Sequence, residues 1–230
     1  MQHDTSSQPP PVIELDDAGV IRLARTLIDR SLKPNQRGVM AIAGVPGSGK
    51  STLASAVLRA LNEAEQGVAV GLPMDAYHMT NDKLDRIGLR QRKGSPQTFE
   101  SQQYFKHLAQ VRDASKRVSL PTFDRTIDEP VFTGKPEHTV GRGTRYIVTE
   151  GNYLMLDSLP WTAIDQLADV RVWIDIPSER ARRQTIQRHI QFGRSPQEAK
   201  HWYETNDQLN ADFIAARSRH ADLIVRWPKV

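Results

Sequence analysis

The sequence contains no cysteine, and no run of its 230 residues is long and apolar. Without cysteine there is no disulfide bond and no thiolate metal site, so nothing indicates an oxidising compartment. No segment approaches the roughly 20 consecutive apolar residues of a membrane-spanning helix, and the N-terminus lacks the apolar centre of a signal peptide. We therefore expect a cytoplasmic protein without membrane partners.

An excess of one charge is also absent, because 31 Lys and Arg residues stand against 27 Asp and Glu residues, for a net charge of +4. This small basic balance suits either nucleic acid or small anionic ligands. The basic residues gather at 90–93 and at 180–194, and no basic stripe with interleaved aromatic residues accompanies them. The distribution favours phosphorylated small molecules over nucleic acid.

The length and composition predict one domain. With 38% hydrophobic residues, a chain of 230 residues suffices for a single α/β domain with a full core. We expect residues 1–15, which are largely polar and end in a proline-rich stretch, to form a disordered N-terminal tail. Residues 16–230 are expected to form the domain.

A glycine-rich stretch, AIAGVPGSGKST at 41–52, matches the phosphate-binding pattern G-x-x-x-x-G-K-[ST] at every fixed position. An apolar run at 39–43 precedes it as a predicted buried strand, and apolar residues at helical spacing follow it. Its glycines allow successive backbone N–H groups to turn toward a β-phosphate. Lys50 is expected to reach the β- and γ-phosphates, and Ser51 to hold Mg²⁺. The predicted nucleotide-binding residues are Gly44, Val45, Pro46, Gly47, Ser48, Gly49, Lys50, Ser51 and Thr52.

Strand and helix patterns alternate along the rest of the chain. Apolar runs predict strands at 68–72, 145–151, 170–175 and 221–225, and amphipathic spacing predicts helices at 17–32, 101–114, 178–191 and 197–217. A candidate strand at 117–123 leads into a long irregular segment that ends at Gly143. The alternation predicts βαβ crossovers and a parallel β-sheet layered between helices. With the phosphate-binding loop, this indicates an α/β fold of the P-loop NTPase type.

A phosphate-binding loop alone does not separate kinases from GTPases, motors or nucleotide sensors. The Asn-Lys-x-Asp element expected of a GTPase is missing, and the strand at 145–151 carries Thr-Glu rather than the Asp-Glu usual in motor ATPases. A small-molecule kinase needs an acid to accept the proton of the acceptor hydroxyl, and cations to offset charge on the moving phosphoryl group. Asp75 lies just past the predicted strand at 68–72, at the carboxyl edge of the sheet where the phosphate-binding loop also lies. Aspartate after a strand is also a common turn or cap residue, so a structural role for Asp75 is the alternative.

Five further segments follow the loop in order. They are PMDAYH at 73–78, RQRKGSPQTF at 90–99, PTFDR at 121–125, VTEGNY at 148–153, and the arginine-rich stretch 182–194. Together with the loop they resemble the uridine kinase, phosphoribulokinase and bacterial pantothenate kinase family, from about Val39 to Val225. The chain is most similar to the short bacterial members described as nucleoside/nucleotide kinase-like or fructose-transport-associated kinases. It lacks the uridine-type Tyr-Asp-Phe-x-x-His string.

The resemblance implies transfer of the γ-phosphoryl group of ATP to a hydroxyl of a small polar metabolite, such as a sugar, a nucleoside or a pantothenate-like acceptor. It implies that Asp75 is the general base and that Ser51 and Glu150 serve Mg²⁺. A small helical lid at about 180–200 is expected to close over the triphosphate with Arg183, Arg188 or Arg194. Lys50, Asp75, Arg183 and Arg188 are thus the expected catalytic residues, and Asp175, which introduces the lid, is interpreted as structural.

The acceptor pocket is expected among Tyr77, His78, Arg90, Lys93, Phe123, Asp124, Arg125 and Asn152. Tyr77 and Phe123 fit a core position as well as a ligand contact, and a lone histidine such as His78 is more often a hydrogen-bonding neighbour. Asn206 and Asp207 lie within a predicted helix that neither favours, so a contact with the lid or the acceptor is conceivable.

Two other function classes remain open. The chain could be a P-loop ATPase or nucleotide sensor that regulates a partner protein. The third class is a basic nucleic-acid-binding protein, which the distribution of the basic residues disfavours. ADP release that depends on a metabolite separates the kinase from the sensor. The expected ligands are ATP, Mg²⁺ and a hydroxylated small molecule; a homodimer stays open.

Overall fold

A computed structural model describes residues 9–135, 138–219 and 221–228. At its centre lies a parallel sheet of six strands in the order β1-β10-β9-β2-β8-β3. The strands of this sheet are β1 (Val12–Glu14), β2 (Gly38–Ala43), β3 (Ala69–Pro73), β8 (Tyr146–Glu150), β9 (Val170–Asp175) and β10 (Leu223–Arg226). Parallel strands with helical crossovers confirm the predicted layered α/β arrangement.

Eight α-helices connect or flank the strands in the described ranges. They are α1 (Asp17–Ile28), α2 (Lys50–Ala64), α3 (Asn81–Arg86), α4 (Ser101–Arg112), α5 (Ile164–Leu167), α6 (Ser178–Gln191), α7 (Pro196–Trp202) and α8 (Gln208–Arg217). The Asp16 side chain caps α1 by accepting a hydrogen bond from the backbone N–H of Gly19 at 2.7 Å. None of the described helices is long and apolar enough to cross a membrane.

The prediction that residues 1–15 form a disordered tail is wrong for the last residues of that range. Val12–Glu14 form β1, which pairs in parallel with β10. Ile13 and Leu15 are buried, and the backbone N–H of Leu15 donates to the carbonyl of Arg226 at 2.7 Å. Burial of these alternating apolar side chains, with backbone pairing, outweighs the polar composition of the stretch. The first part of the predicted tail, residues 1–8, lies outside the described residues.

Two other predicted elements are divided. The candidate strand at 117–123 becomes β4 (Val118–Ser119) and β5 (Thr122–Asp124), which pair antiparallel with β7 (Thr139–Val140) and β6 (Glu129–Val131) outside the central sheet. Pro121, which has no N–H to donate, lies between them. The helix predicted at 197–217 is α7 and α8 with a π-helical turn, Tyr203–Asp207, between them.

The central sheet separates two apolar layers. On one face, α1 and α2 pack with residues such as Leu23, Leu27, Leu53 and Val57, all fully buried. The other face is covered by α4, through Tyr104 and Leu108, and by residues that follow β8, among them Tyr153 and Trp161. The chain segments after β2, β3 and β8 therefore meet at the carboxyl edge of the sheet, between the two layers.

One buried arginine joins distant parts of this framework. Arg37 precedes β2 and is fully buried. Its guanidinium donates to six backbone carbonyl oxygens at 2.7–3.2 Å, those of Val111, Asp113, Ala114, Lys116, Gly141 and Thr144. Burial lowers the pKa of Arg37 from its ordinary value. The carbonyl dipoles thus replace water around a charge that connects β2, the end of α4 and the loop before β8.

Candidate active site

The phosphate-binding loop lies between β2 and α2, where Gly47 and Gly49 have φ of 74° and 87°. A Cβ atom at Gly47 would lie 2.3 Å from both the carbonyl oxygen of Ala181 and Oγ1 of Thr185, so α6 packs directly on the loop. On its other side, the indole N–H of Trp227 donates to the carbonyl of Ser48 at 2.7 Å. The loop is therefore held between the first turns of α6 and the segment after β10.

Lys50, the first residue of α2, is largely buried beneath this loop. Its Nζ donates to the carbonyl of Val45 at 2.9 Å. Burial lowers the pKa of Lys50 from its ordinary value to about 8, and the charge of Arg188 acts in the same direction, whereas the carboxylates of Glu150 and Asp75 oppose the shift. The positive charge of Lys50 is thus not fully balanced by the nearby carboxylates, which suits a site that binds phosphate groups.

Asp75 lies just after β3, in a short 3₁₀ helix, Met74–Tyr77. Its Oδ2 accepts a hydrogen bond from Nη2 of Arg125 at 2.9 Å, and its backbone carbonyl accepts one from Nδ1 of His78 at 2.8 Å. Burial raises the pKa of Asp75, but the neighbouring positive charges of His78, Arg125 and Arg188, together with that of Lys50, outweigh burial and hold the pKa below its usual value. The carboxylate is consequently ionised at neutral pH and faces the cleft.

Glu150 ends β8 and is 7% exposed. Its Oε1 accepts a hydrogen bond from the hydroxyl of Ser51 at 3.1 Å. Burial raises the pKa of Glu150, as does the nearby carboxylate of Asp75. A buried carboxylate against a hydroxyl, short of positive charge, fits Mg²⁺, which takes few protein ligands and completes its shell with phosphate oxygens and water. The described ranges contain no cluster of three or more His, Asp or Glu residues that could hold a metal ion.

These residues open into one cleft of about 620 Å³. Most of the predicted site residues line it: Pro46, Gly47, Gly49, Lys50, Ser51, Thr52, Asp75, His78, Arg90, Lys93, Phe123, Arg125, Glu150, Asn152, Arg188 and Arg194. Gly44, Val45 and Ser48 belong to the loop without lining the cleft. Asp175 does not line it either and pairs with Arg226 at 2.8 Å, which agrees with a structural role.

A second part of the cleft wall is formed by Phe123 and its neighbours. The His78 ring lies 4.9 Å from the Phe123 ring, and Nζ of Lys93 lies 5.7 Å from it. Lys93 is 7% exposed and is fixed by Oδ1 of Asn81 at 2.7 Å and Oδ2 of Asp128 at 2.8 Å. We call this wall, with Arg90 and Arg125, the acceptor side.

Two predicted acceptor residues do not reach the cleft. Tyr77 is 3% exposed; its ring packs edge-on against Tyr104 at 5.3 Å, and its hydroxyl bonds to Nδ1 of His107 at 2.8 Å. Asp124 instead accepts a hydrogen bond from the backbone N–H of Thr126 at 2.8 Å, which closes the turn after β5. The structure therefore favours a core position for Tyr77 and a role in the turn for Asp124 over the contacts with the acceptor that the sequence analysis expected.

The geometry of α6 places the lid arginines Arg183 and Arg188 on different sides of the helix. Arg188 lines the cleft and acts on the pKa of both Lys50 and Asp75. Arg183 is exposed and does not line the cleft, since a separation of five residues rotates it about 140° around the helix from Arg188. In this structure the side of α6 that carries Arg183 faces solvent, so the geometry supports a place in the cleft for Arg188 and not for Arg183.

Several cleft residues were missed by the sequence analysis, among them Gln184, His189, Phe192, Trp202 and Asn210. His189 joins two of the recognised residues, because its Nε2 bonds to Oδ2 of Asp207 at 2.7 Å and its Nδ1 to Nη1 of Arg194 at 2.8 Å. Arginine only donates hydrogen bonds, so Nδ1 accepts and Nε2 carries the proton. The sequence carries one signal for this part of the cleft, because Asn206 and Asp207 do not favour a helix, and Asp207 does lie in a π-helical turn, against His189.

Comparison with known proteins places these features in a family. A family model described as "Phosphoribulokinase / Uridine kinase family" matches residues 39–229. The "Putative uridine kinase C227.14" of Schizosaccharomyces pombe is 30% identical over 203 residues, 85% of each chain. The "Uncharacterized protein YggC" of Escherichia coli is 32% identical over 197 residues, 85% of this chain and 80% of the relative.

A solved structure supports the same placement. The crystal structure of a "putative fructose transport system kinase" from Silicibacter sp. TM1040 superposes with a TM-score of 0.78 at 33% identity, over 91% of this chain and 98% of the other. This likeness confirms the predicted α/β fold of the P-loop NTPase type.

Proposed function

The chain belongs to the phosphoribulokinase/uridine kinase family, and from this premise we propose that Asp75 is the general base of a small-molecule kinase. As a member of this family the protein is an ATP-dependent phosphotransferase with a hydroxyl group as acceptor. The acceptor in this proposal is a small polar metabolite, of the sugar, nucleoside or pantothenate-like kind. Residues 9–228 act as one catalytic unit, with a lid formed by the end of α6 and by α7.

The observation that carries the proposal is an ionised carboxylate placed beside the phosphate-binding lysine. Asp75 is held below its usual pKa by Arg125 and the other cations around it, and Lys50 and Asp75 act on each other's pKa across the cleft. A carboxylate in this state can accept the proton of a hydroxyl as that hydroxyl attacks the γ-phosphate. Lys50 and Arg188 then offset the charge on the moving phosphoryl group.

Ser51 and Glu150 would hold Mg²⁺ on the loop side of the cleft. When bound there, the metal would supply positive charge that offsets the negative charge of the triphosphate during transfer. The Ser51 hydroxyl keeps the Glu150 carboxylate aimed at this position through a 3.1 Å hydrogen bond. Because burial raises the pKa of Glu150, a nearby cation also completes the charge balance of this carboxylate.

The test is formation of ADP that depends on an acceptor. Wild type with ATP and Mg²⁺ is mixed in turn with sugars, nucleosides and hydroxylated acids, and ADP is followed by a coupled assay. We expect release to rise with at least one acceptor, and Lys50→Ala to stay folded by circular dichroism without this activity. An equal rate of ATP hydrolysis with and without every acceptor would overturn the kinase proposal in favour of a P-loop ATPase or nucleotide sensor.

A further inference from the structure

Arg194, between α6 and α7, is held in place by two contacts that carry no negative charge. Its guanidinium lies over the Trp202 ring, 4.2 Å from the ring centre, and its Nη1 donates to the neutral Nδ1 of His189 at 2.8 Å. Asp207 in turn fixes His189 from the other side of the imidazole ring. A side chain held in this way loses little conformational entropy when it binds a ligand.

Arg194 also differs from the cations of the acceptor side in its charge balance. Arg90, Lys93 and Arg125 each pair with a carboxylate, at 3.2, 2.8 and 2.9 Å. Within residues 9–135, 138–219 and 221–228, no carboxylate lies within 4.0 Å of the guanidinium of Arg194, and His189 accepts its one hydrogen bond. Glu198 feels the charge of Arg194, but its carboxylate is engaged by Ser195 in the cap of α7.

The surroundings of Arg194 connect it to the acceptor side. The π-helical turn that carries Asp207 touches that wall directly, because Nδ2 of Asn206 donates to the backbone carbonyl of Lys93 at 3.0 Å. Arg188, by contrast, acts on Lys50 and Asp75 and so belongs to the reaction centre. Arg194 lines the same cleft, tied through His189 and Asp207 to the wall where the acceptor lies.

On the basis of the proposed function, we propose that the acceptor is a hydroxylated anion and that Arg194 binds its carboxylate or phosphate group. The planar fork of arginine presents parallel donors to either group. A neutral acceptor of the same shape would leave the cation without a counter-charge in a partly dry site, which disfavours its binding. This assignment moves Arg194 from the triphosphate, where the sequence analysis expected it, to the acceptor.

The experiment compares acceptors that differ only in the anionic group. One series is D-glycerate, glycerol 3-phosphate and glycerol, and a second is gluconate, glucose 6-phosphate and glucose. Binding is measured by calorimetry in the presence of Mg²⁺ and ADP, with wild type, Arg194→Ala, Arg194→Lys and Arg183→Ala. Arg183→Ala is the matched control because this substitution removes the same charge from the exposed side of α6.

We expect an anionic member of at least one series to bind wild type ten-fold or more tightly than its neutral member. Arg194→Ala should abolish this preference, Arg194→Lys should retain part of it, and Arg183→Ala should leave it intact. A preference for the carboxylate or for the phosphate within a series identifies which anion the site takes.

The inference is overturned if neutral members bind as tightly as anionic ones, if no anionic member binds, or if Arg194→Ala leaves the preference unchanged. The same series in the coupled assay separates this failure from failure of the kinase proposal. Acceptor-dependent ADP formation without an anion preference supports the kinase and refutes the role of Arg194. Hydrolysis that ignores every acceptor refutes the kinase itself.

Discussion

Asp75 follows β3 and Glu150 ends the neighbouring strand β8, yet their surroundings move their pKa in opposite directions. The cations around Asp75 hold its pKa below the usual value, whereas burial raises the pKa of Glu150. In the proposed function these shifts fit different tasks: Asp75 stays ionised and free to accept a proton, whereas Glu150 gains from a nearby divalent cation. Division of labour between two acids by their environment is a recurrent feature of active sites.

We predict that Asp75→Asn lowers kcat by roughly 10²-fold or more, since general-base assistance is typically worth 10²- to 10⁴-fold. The amide keeps the shape of the side chain but cannot accept the proton of the hydroxyl. ATP affinity, measured by calorimetry, is the control and should change little. A normal kcat in this variant would remove Asp75 from the chemistry.

The lowered pKa of Lys50 predicts a pH dependence of ATP binding. In the free protein this pKa is about 8, and bound phosphates favour the charged ammonium. Below pH 8 the cation is already present, so affinity should be flat; as pH rises above 8 the free protein loses that proton and must regain it on binding. Affinity should therefore fall, by up to about tenfold per pH unit.

Calorimetry at pH 9 in buffers of different ionisation enthalpy measures this proton uptake directly. Lys50→Arg is the control, because arginine keeps its charge across this range and should show weaker but pH-independent binding. Uptake of no proton by wild type at pH 9 would contradict the prediction.

Motifs predicted which segments line the cleft better than they predicted where individual side chains point. Lys50 and Ser51 follow from the phosphate-binding loop, because the loop dictates its own geometry. Tyr77 and Asp124 lie in equally recognisable segments, but one turns into the core against Tyr104 and the other closes a turn. Those directions depend on packing partners far away in the chain, which no local pattern contains.

At the scale of elements, α6 has two parts with different neighbours. Its first turns lie against the phosphate-binding loop through Ala181 and Thr185, so they cannot swing away without disturbing the loop. Its last turn carries Arg188 and ends before Gly193, which has φ of 97° and open space around it. We therefore expect the lid to move about Gly193, with the first turns of α6 fixed, so that the moving part is shorter than the range 180–200.

We predict that Gly47→Ala weakens ATP binding at least tenfold and destabilises the protein, because a Cβ atom there would meet α6 at 2.3 Å. Gly67→Ala is the matched control. Gly67 has a similar φ of 76° but nothing within 4 Å, so only backbone strain of about 1 kcal/mol is expected. ATP affinity and thermal melting of both variants test the contact, and equal effects would argue against it.

Element boundaries were predictable where the periodic pattern was strong. The helix at 178–191 and the strand at 170–175 match α6 and β9 residue for residue. The helix at 197–217 hides a π-helical turn, because Asn206, Asp207 and Asn210 turn their polar side chains inward. Hydrophobic periodicity cannot register a turn that buries polar groups for contact with a cleft.

At the scale of the whole molecule, the parallel sheet could be predicted from the alternation of strand and helix patterns in the sequence. The small antiparallel strand pairs could not be predicted in this way. Strands of two or three residues, such as β4 and β6, bury too few side chains to leave a pattern. Their positions come from long-range connections instead. Arg37 makes several of these connections through its six carbonyl partners, and as a single arginine it carried no signal in the sequence.

We predict that Arg37→Met lowers the free energy of unfolding by roughly 3–5 kcal/mol, because six carbonyl oxygens lose the charged donor of a fully buried side chain. For a chain of this size the melting temperature should fall by about 10 °C. Arg86→Met is the control, since Arg86 is 74% exposed and its pair with Asp82 is fully accessible. Equal melting temperatures for the two variants would show that Arg37 is dispensable.

The three-residue strand β1 has a consequence for how the protein behaves in a crowded solution. It covers the open backbone edge of β10, and an uncovered strand edge is a template on which other molecules polymerise. A chain shortened to begin at Asp16 would expose that edge and should self-associate, which light scattering detects. Burial of Ile13 and Leu15 thus protects solubility: a few residues at one end of the chain shield the sheet from amyloid-like growth.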